Sequence, residues 1–156
     1  MEIDLRPAAP EDVDLLFRWT NDPTVRANAF STDPIPYENH VAWFRGRLEN
    51  PDCRIYIGMK QEKPVGVIRV ERIQDAPQAG LISYSVDRDA RGQGIGTELL
   101  QQICRQDLEM DGIRVLAGQV KLENVPSQRA FEKAGYQEFL RNDRYVEYRK
   151  KRENTK

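Results

Sequence analysis

The chain has 156 residues, 24 lysines and arginines against 25 aspartates and glutamates, and a formal net charge of -1. That length fits one domain with a sizeable core, and the 39% hydrophobic and 31% charged content is that of a soluble globular protein with no global field for nucleic acid. One histidine and two separated cysteines, Cys53 and Cys104, supply neither a metal-ligand cluster nor a disulfide framework, and read as thiols in a reducing compartment.

The start, Met1-Glu2-Ile3-Asp4, lacks the basic and apolar regions of a signal peptide, and no apolar run would span a bilayer, so a cytoplasmic location is expected. Ile3 to Arg6 alternates like a short strand. Pro10, Glu11 and Asp12 open a helix in which Val13, Leu16, Phe17 and Thr20 share a face, and Asn21-Asp22-Pro23 closes it. Trp19 lies off that stripe, at a core edge or a pocket entrance. Thr24 to Pro36, which holds Arg26 and Asn28, is a loop or short helical turn. Tyr37 to Leu48 is helical, with Val41, Phe44 and Leu48 as core stripe and His40, Trp43 and Arg47 on the neighbouring face. A histidine beside a tryptophan is more often packed than catalytic, yet imidazole, indole and guanidinium together suit recognition of a polar ring.

Cys53 to Met59 and Val65 to Ile73 read as a hairpin turning at Gln61 to Pro64, and a turn at Ala76 to Gln78 leads into a strand over Ala79 to Asp87. A helix follows from Thr97 to Glu109, with Leu99, Leu100, Ile103, Cys104 and Leu108 inward and Asp111-Gly112 as its end. Ile113 to Val120 is a buried strand, parallel to Leu81–Val86 by the right-handed crossover rule. Asn124 caps a helix containing Pro126, with Ala130, Phe131 and Ala134 inward and Gly135 as stop. Tyr136 to Leu140 and Tyr145 to Arg149 form a terminal hairpin, so the expected organisation is one domain over residues 1–149 and a charged, frayed tail over residues 150–156.

Between strand and helix lies Arg91-Gly92-Gln93-Gly94-Ile95-Gly96-Thr97. Glycines at alternate positions let successive N–H groups converge, and the helix start adds free amides and partial positive charge, which makes a phosphate or pyrophosphate site. A P-loop would need lysine before Thr97, and a dinucleotide fingerprint would need glycine at that position. The spelling Arg/Gln-x-x-Gly-x-Gly/Ala, on Arg91, Gly94 and Gly96, resembles the acetyl-CoA pyrophosphate loop of the GCN5-related N-acetyltransferases (GNAT). Asn124-x-x-Ser127-x-x-x-Phe131-x-x-x-Gly135-Tyr136 is similar to the second signature of that family, one strand after the loop helix, where the family has it.

The resemblance implies an α/β fold whose central mixed, mostly antiparallel sheet splays between the fourth and fifth strands, with helices on both faces. It implies acetyl-CoA as cosubstrate and no metal. Acetyl-CoA contacts would come from Ser85, Val86, Arg91 to Thr97, Asn124, Ser127 and Phe131, with pantetheine amides paired to the backbone around Tyr84 to Val86 and an oxyanion held by an N–H freed by a strand bulge near Val86. The family's acid–base pair, a helix tyrosine and a strand glutamate, falls here on Phe131 and Gln119, neither of which exchanges protons at neutral pH. Ser127 remains as a hydroxyl for the thiol sulfur, and the base is sought among Glu71, His40, Tyr84 and, through water, Glu123, with Glu71 and His40 first.

Trp19, Asn21, Arg26, His40 and Trp43 resemble the N-terminal half of family members that acetylate nucleotide-linked amino sugars, with the ribosomal-protein N-terminus enzymes sharing part of the pattern. The expected acceptor is accordingly an amino-sugar nucleotide, ahead of a protein N-terminus and of polyamine or antibiotic amines, in a monomer or homodimer. A non-catalytic CoA-binding module is the reading from a different class.

Overall fold

The computed structural model describes residues 2–153. These residues build a seven-stranded sheet in the order β1-β2-β3-β4-β5-β7-β6, from β1 (Asp4–Pro7), β2 (Cys53–Lys60), β3 (Lys63–Ile73), β4 (Ala76–Val86), β5 (Val115–Lys121), β6 (Gln137–Arg141) and β7 (Tyr145–Lys151). Every pairing is antiparallel except β4 with β5. The helices are α1 (Val13–Thr20), α2 (Pro23–Asn28), α3 (Tyr37–Glu49), α4 (Ile95–Ile103) and α5 (Val125–Lys133).

Strand alternation sends side chains to two cores. On one face Ile57 and Ile55 pack with Leu16, Trp19 and Phe44 of α1 and α3. On the other, Ile68, Val70 and Leu116 pack with Leu99, Leu100, Ile103 and Phe131 of α4 and α5. The sheet is therefore clad on both faces, as the GNAT resemblance implies.

The parallel pair is short. Ala79, Gly80 and Leu81 register with Val115, Leu116 and Ala117, and beyond Leu81 the strands part. Val65 accepts from the amide of Asp87, so the antiparallel alternation turns the N–H groups of Tyr84 and Val86 away from β3, onto the edge of β4 that β5 has left. Register between β3 and β4 is continuous from Gly80 to Val86, and its irregularity lies at Arg72/Ile73. The free amides thus come from the splay, and the expected bulge near Val86 is corrected.

Three boundaries differ from expectation. The hairpin between β3 and β4 turns at Gln74–Asp75, so Ala76–Gln78 already belong to β4. Helix α4 stops at Ile103, six residues early, where other elements take carbonyls that further turns would use: the Tyr136 hydroxyl donates to Leu100 at 2.9 Å and the Glu153 amide to Cys104 at 3.0 Å. Beyond it, Arg152 donates to Gln106, Tyr56 to Asp107 and Arg54 to Glu109 and so anchor the segment. Leu108 stays buried as part of that anchored segment. At the C-terminus β7 runs on to Lys151, and the amide of Glu153 bonds the Cys104 carbonyl at 3.0 Å, so the tail expected from residue 150 is ordered to 153 and its last three residues lie outside those described.

Candidate active site

The loop ahead of α4 has the backbone that its glycines allow. Gly92 and Gly94 sit at φ +78° and +81°, and Gly94 is the helix N-cap in the left-handed region. The first helical bond runs from Glu98 N–H to the Gly94 carbonyl at 3.1 Å, and the amides of residues 92–97 bond no acceptor among the described residues. Those convergent donors at a helix N-terminus form a diphosphate cradle. Gly96 serves a different purpose, since a Cβ there would stand 2.9 Å from the Tyr84 ring. The side chain of Gln93 turns out of the cleft toward Lys60 Nζ, 3.4 Å away. Arg91 donates to Asp22 Oδ1 at 2.9 Å.

A cleft of about 970 Å³ opens where β4 and β5 part, lined by the α4 loop, the N-terminal turn of α5 and the α1–α3 side. Ser83 and Ser85 of β4 line it with Val86. The Tyr84 hydroxyl lies 2.9 Å from Ser127 Oγ, bridging the splay from β4 to α5. Burial pushes the Tyr84 phenol up, against a lowering hydrogen bond from Ser127. Asn124 Oδ1 accepts from the Ser127 amide at 3.3 Å and caps α5. Phe131 forms the cleft floor, 2% exposed, its ring occupying the space that a Cβ on Gly118 would need and stacked on Tyr148 at 5.3 Å.

Several residues expected to meet the acceptor are engaged by the protein itself. Asn21 brackets the backbone of Ile35 through both amide atoms, at 2.9 and 2.8 Å, and lies outside the cleft wall. Arg26 lines the cleft but holds the carbonyls of Thr20, Ser31 and Asp33, tying α2 to the loop after it. Trp19 is buried with its indole N–H on Asp87 at 2.7 Å. Trp43 lines the cleft with Arg69 lying over its ring at 5.0 Å.

The two leading base candidates are corrected. Glu71 is gripped by Arg69 at 3.0 Å and Arg47 at 3.3 Å and stands outside the cleft lining. His40 lines the cleft but is 3% exposed, stacked on Phe44, and its Nε2–H donates to the Val13 carbonyl at 3.0 Å. Burial lowers its pKa in spite of that bond, so the ring resists the charge a base must accept. Glu123 is exposed in the turn before α5 and also lies outside the lining.

Residues 2–137 match the family model described as the acetyltransferase (GNAT) domain. The chain belongs to the GNAT acetyltransferase family. This acetyltransferase is 30% identical over 112 residues to YwnH of Bacillus subtilis (strain 168), provisionally named a phosphinothricin acetyltransferase, across 69% of this chain and 67% of that one. AAC(6')-Ib in complex with paromomycin and acetyl-CoA shares its fold with a TM-score of 0.83 at 17% identity, covering 97% of this chain and 94% of that one. So does the spermidine N-acetyltransferase of Vibrio cholerae in complex with CoA and spermine, at 0.81 and 14%, over 96% and 95% of the two chains.

Three participants escape a reading of this acetyltransferase's sequence. Asp22 meets Arg91 across 69 positions, Asp87 receives Trp19 across 68, and Glu147 meets Gln119 across 28. Asp22 carried a visible signal only as part of the Asn21-Asp22-Pro23 stop after the first helix. The other two belong to no local pattern.

Proposed function

We propose that the enzyme transfers acetyl from acetyl-CoA directly to the primary amine of an acceptor that carries its own anionic group, foremost a nucleotide-linked amino sugar. The observation that carries this is the charge of the cleft wall. Its charged side chains are Arg26, Arg69, Arg91, Arg129 and Lys133, and no aspartate or glutamate lines it among the described residues. Arg91, Arg129 and Lys133 lie with the α4 loop and α5, the cradle side. Arg69 remains on the acceptor side, 5.0 Å over Trp43 with its Nε on Glu71, where an indole face suits a ring and the rest of the guanidinium suits a phosphate or carboxylate. A polycation such as spermine or an aminoglycoside would meet guanidinium groups there and no carboxylate in the lining among the described residues.

Acetyl-CoA supplies an activated thioester. The chain's amides at residues 92–97 fit its diphosphate, and the free edge of β4 fits its pantetheine amides. Holding thioester and amine in line is worth ~7–11 kcal/mol of barrier for well-aligned reactants. The free N–H groups of the β4 edge support an oxyanion-binding role. The Tyr84–Ser127 hydroxyl pair, 2.9 Å apart across the splay, supports a donor role toward the leaving sulfur.

A second reading, an amino acid whose carboxylate meets Arg69, is favoured by the likeness to YwnH. The test is thiol release from acetyl-CoA with a panel of amines: a nucleotide diphosphate-linked 4-amino sugar, phosphinothricin, an N-terminal peptide of a ribosomal protein, kanamycin and spermidine. Anionic amines are expected to turn over fastest. Preference for spermidine or kanamycin overturns the acceptor class, and a melting-point shift with acetyl-CoA but no turnover of any amine favours a silent CoA-binding module.

A further inference from the structure

Gln119 stands where the GNAT resemblance would put a proton-accepting glutamate, and the structure places a carboxylate directly behind it. β5 is last paired to β4 at Ala117, so Gln119 is the second residue past the point where the strands part. It lines the cleft and is exposed there, whereas Gly118 and Val120 on either side are buried. Two residues on, Lys121 points to the same face and reaches the Ala27 carbonyl of α2 at 3.1 Å, which fixes that face as the acceptor side. Across the ladder Gln119 registers with Glu147 of β7, and its Nε2 donates to Glu147 Oε1 at 3.1 Å. Glu147 is 5% exposed, and its other oxygen accepts from Arg149 Nε at 2.7 Å.

A carboxylate gripped by a guanidinium only accepts, so the amide must present its NH₂ to it. That leaves Gln119 Oε1 on the opposite side, with no hydrogen-bond partner among the described residues. We propose that Gln119 Oε1 receives an N–H of the acceptor amine and that Glu147, itself aimed by Arg149, is the positioning residue that holds the amide in this orientation. No proton passes to Gln119, because an amide is not a base at neutral pH. The inference rests on the proposed acetyl-CoA site only in taking the splay as the reacting centre.

The experiment compares Gln119→Ala, Glu147→Gln and the double variant, using the fastest amine of the panel above. Gln119→Ala is expected to raise the acceptor KM about tenfold, the loss of one hydrogen bond to an amine. Glu147→Gln keeps shape but lets either end of the Gln119 amide face its neighbour, so a similar rise is expected. In the Gln119→Ala background it should add nothing, because the group it positions is gone. The acetyl-CoA KM and the melting-point shift with acetyl-CoA should match the parent enzyme in all three. An unchanged acceptor KM in Gln119→Ala, or two effects that multiply in the double variant, overturns the proposal. Absence of the acetyl-CoA shift in the parent enzyme overturns the site reading instead.

Discussion

Cys53 and Cys104 line no part of the cleft, and burial above all pushes both thiols up, Cys53 to about 11. At 3% and 0% exposure they lack access as well as thiolate. Neither thiol of the native protein is expected to react with a disulfide reagent at pH 8, and both should react in denaturant, so a thiol-release assay reads only the coenzyme. Phe131 shows why another residue-level feature takes its form. The ring sits in the space left by Gly118, packed against Tyr136 edge-on at 5.1 Å and Tyr148 face-on at 5.3 Å. Gly118→Ala should cost ~1–3 kcal/mol through overpacking, seen as a lowered denaturant midpoint. The same packing explains how the α5 aromatic serves as core when its hydroxyl is missing.

Among elements, the junction of α1 and α2 is latched to the cofactor side. Asp22 caps α2 through the amides of Thr24 and Val25 and also receives Arg91, while Trp19 one turn earlier reaches Asp87 at the end of β4. Burial alone would raise the Asp22 carboxyl, but Arg91 and the two amides hold it below the ordinary value. Arg91 is thereby drawn from the diphosphate cradle toward α2. Asp22→Asn keeps a good cap and removes the charge, so acetyl-CoA affinity measured by calorimetry should rise a few-fold, the scale of a partly exposed ion pair. Weaker binding would show that Asp22 aims Arg91 instead. At the other end of α1, Arg6 grips Asp12 through two bonds of 2.9 Å. That bond, outweighing burial, lowers the Asp12 pKa with help from the Ala9 amide. Because the folded value lies below the ordinary 3.8, the contribution is complete above 3.8 and is lost as pH falls through the folded value. Asp12→Asn should lower stability near neutrality by ~1–3 kcal/mol and flatten the acid limb of a melting-point series.

For the molecule as a whole, a cleft whose described lining holds no carboxylate and one buried histidine has a kinetic consequence. Glu71 is held between two arginines outside the cleft lining, and burial lowers the His40 pKa. The ammonium is expected to surrender its proton to solvent, and kcat/KM to rise with pH along a limb set by the acceptor's own amine. Replacing the acceptor by a less basic amine should move that limb by the difference between the two amines. A limb that stays below 6.5 whatever the amine would restore His40 as the base.

What the sequence by itself determined is the part governed by neighbours along the chain. Left-handed glycines at 92 and 94, the Asn124 cap, and helical and strand periodicities each act within a few residues, which is why the glycine loop, the helix starts and most elements are legible along the chain, while the doubly clad sheet follows from the family resemblance that the two signatures carry. Only tertiary structure decided how polar side chains are employed. Asn21 looked like a substrate contact until Ile35 folded onto it, Glu71 like a base until Arg47 and Arg69 closed around it, and Gln119 like a vacancy until Glu147 came up behind. The physical reason is that a charge or an amide takes its role from whatever partner it meets in space, and strand pairing brings those partners from distances along the chain that no local pattern encodes.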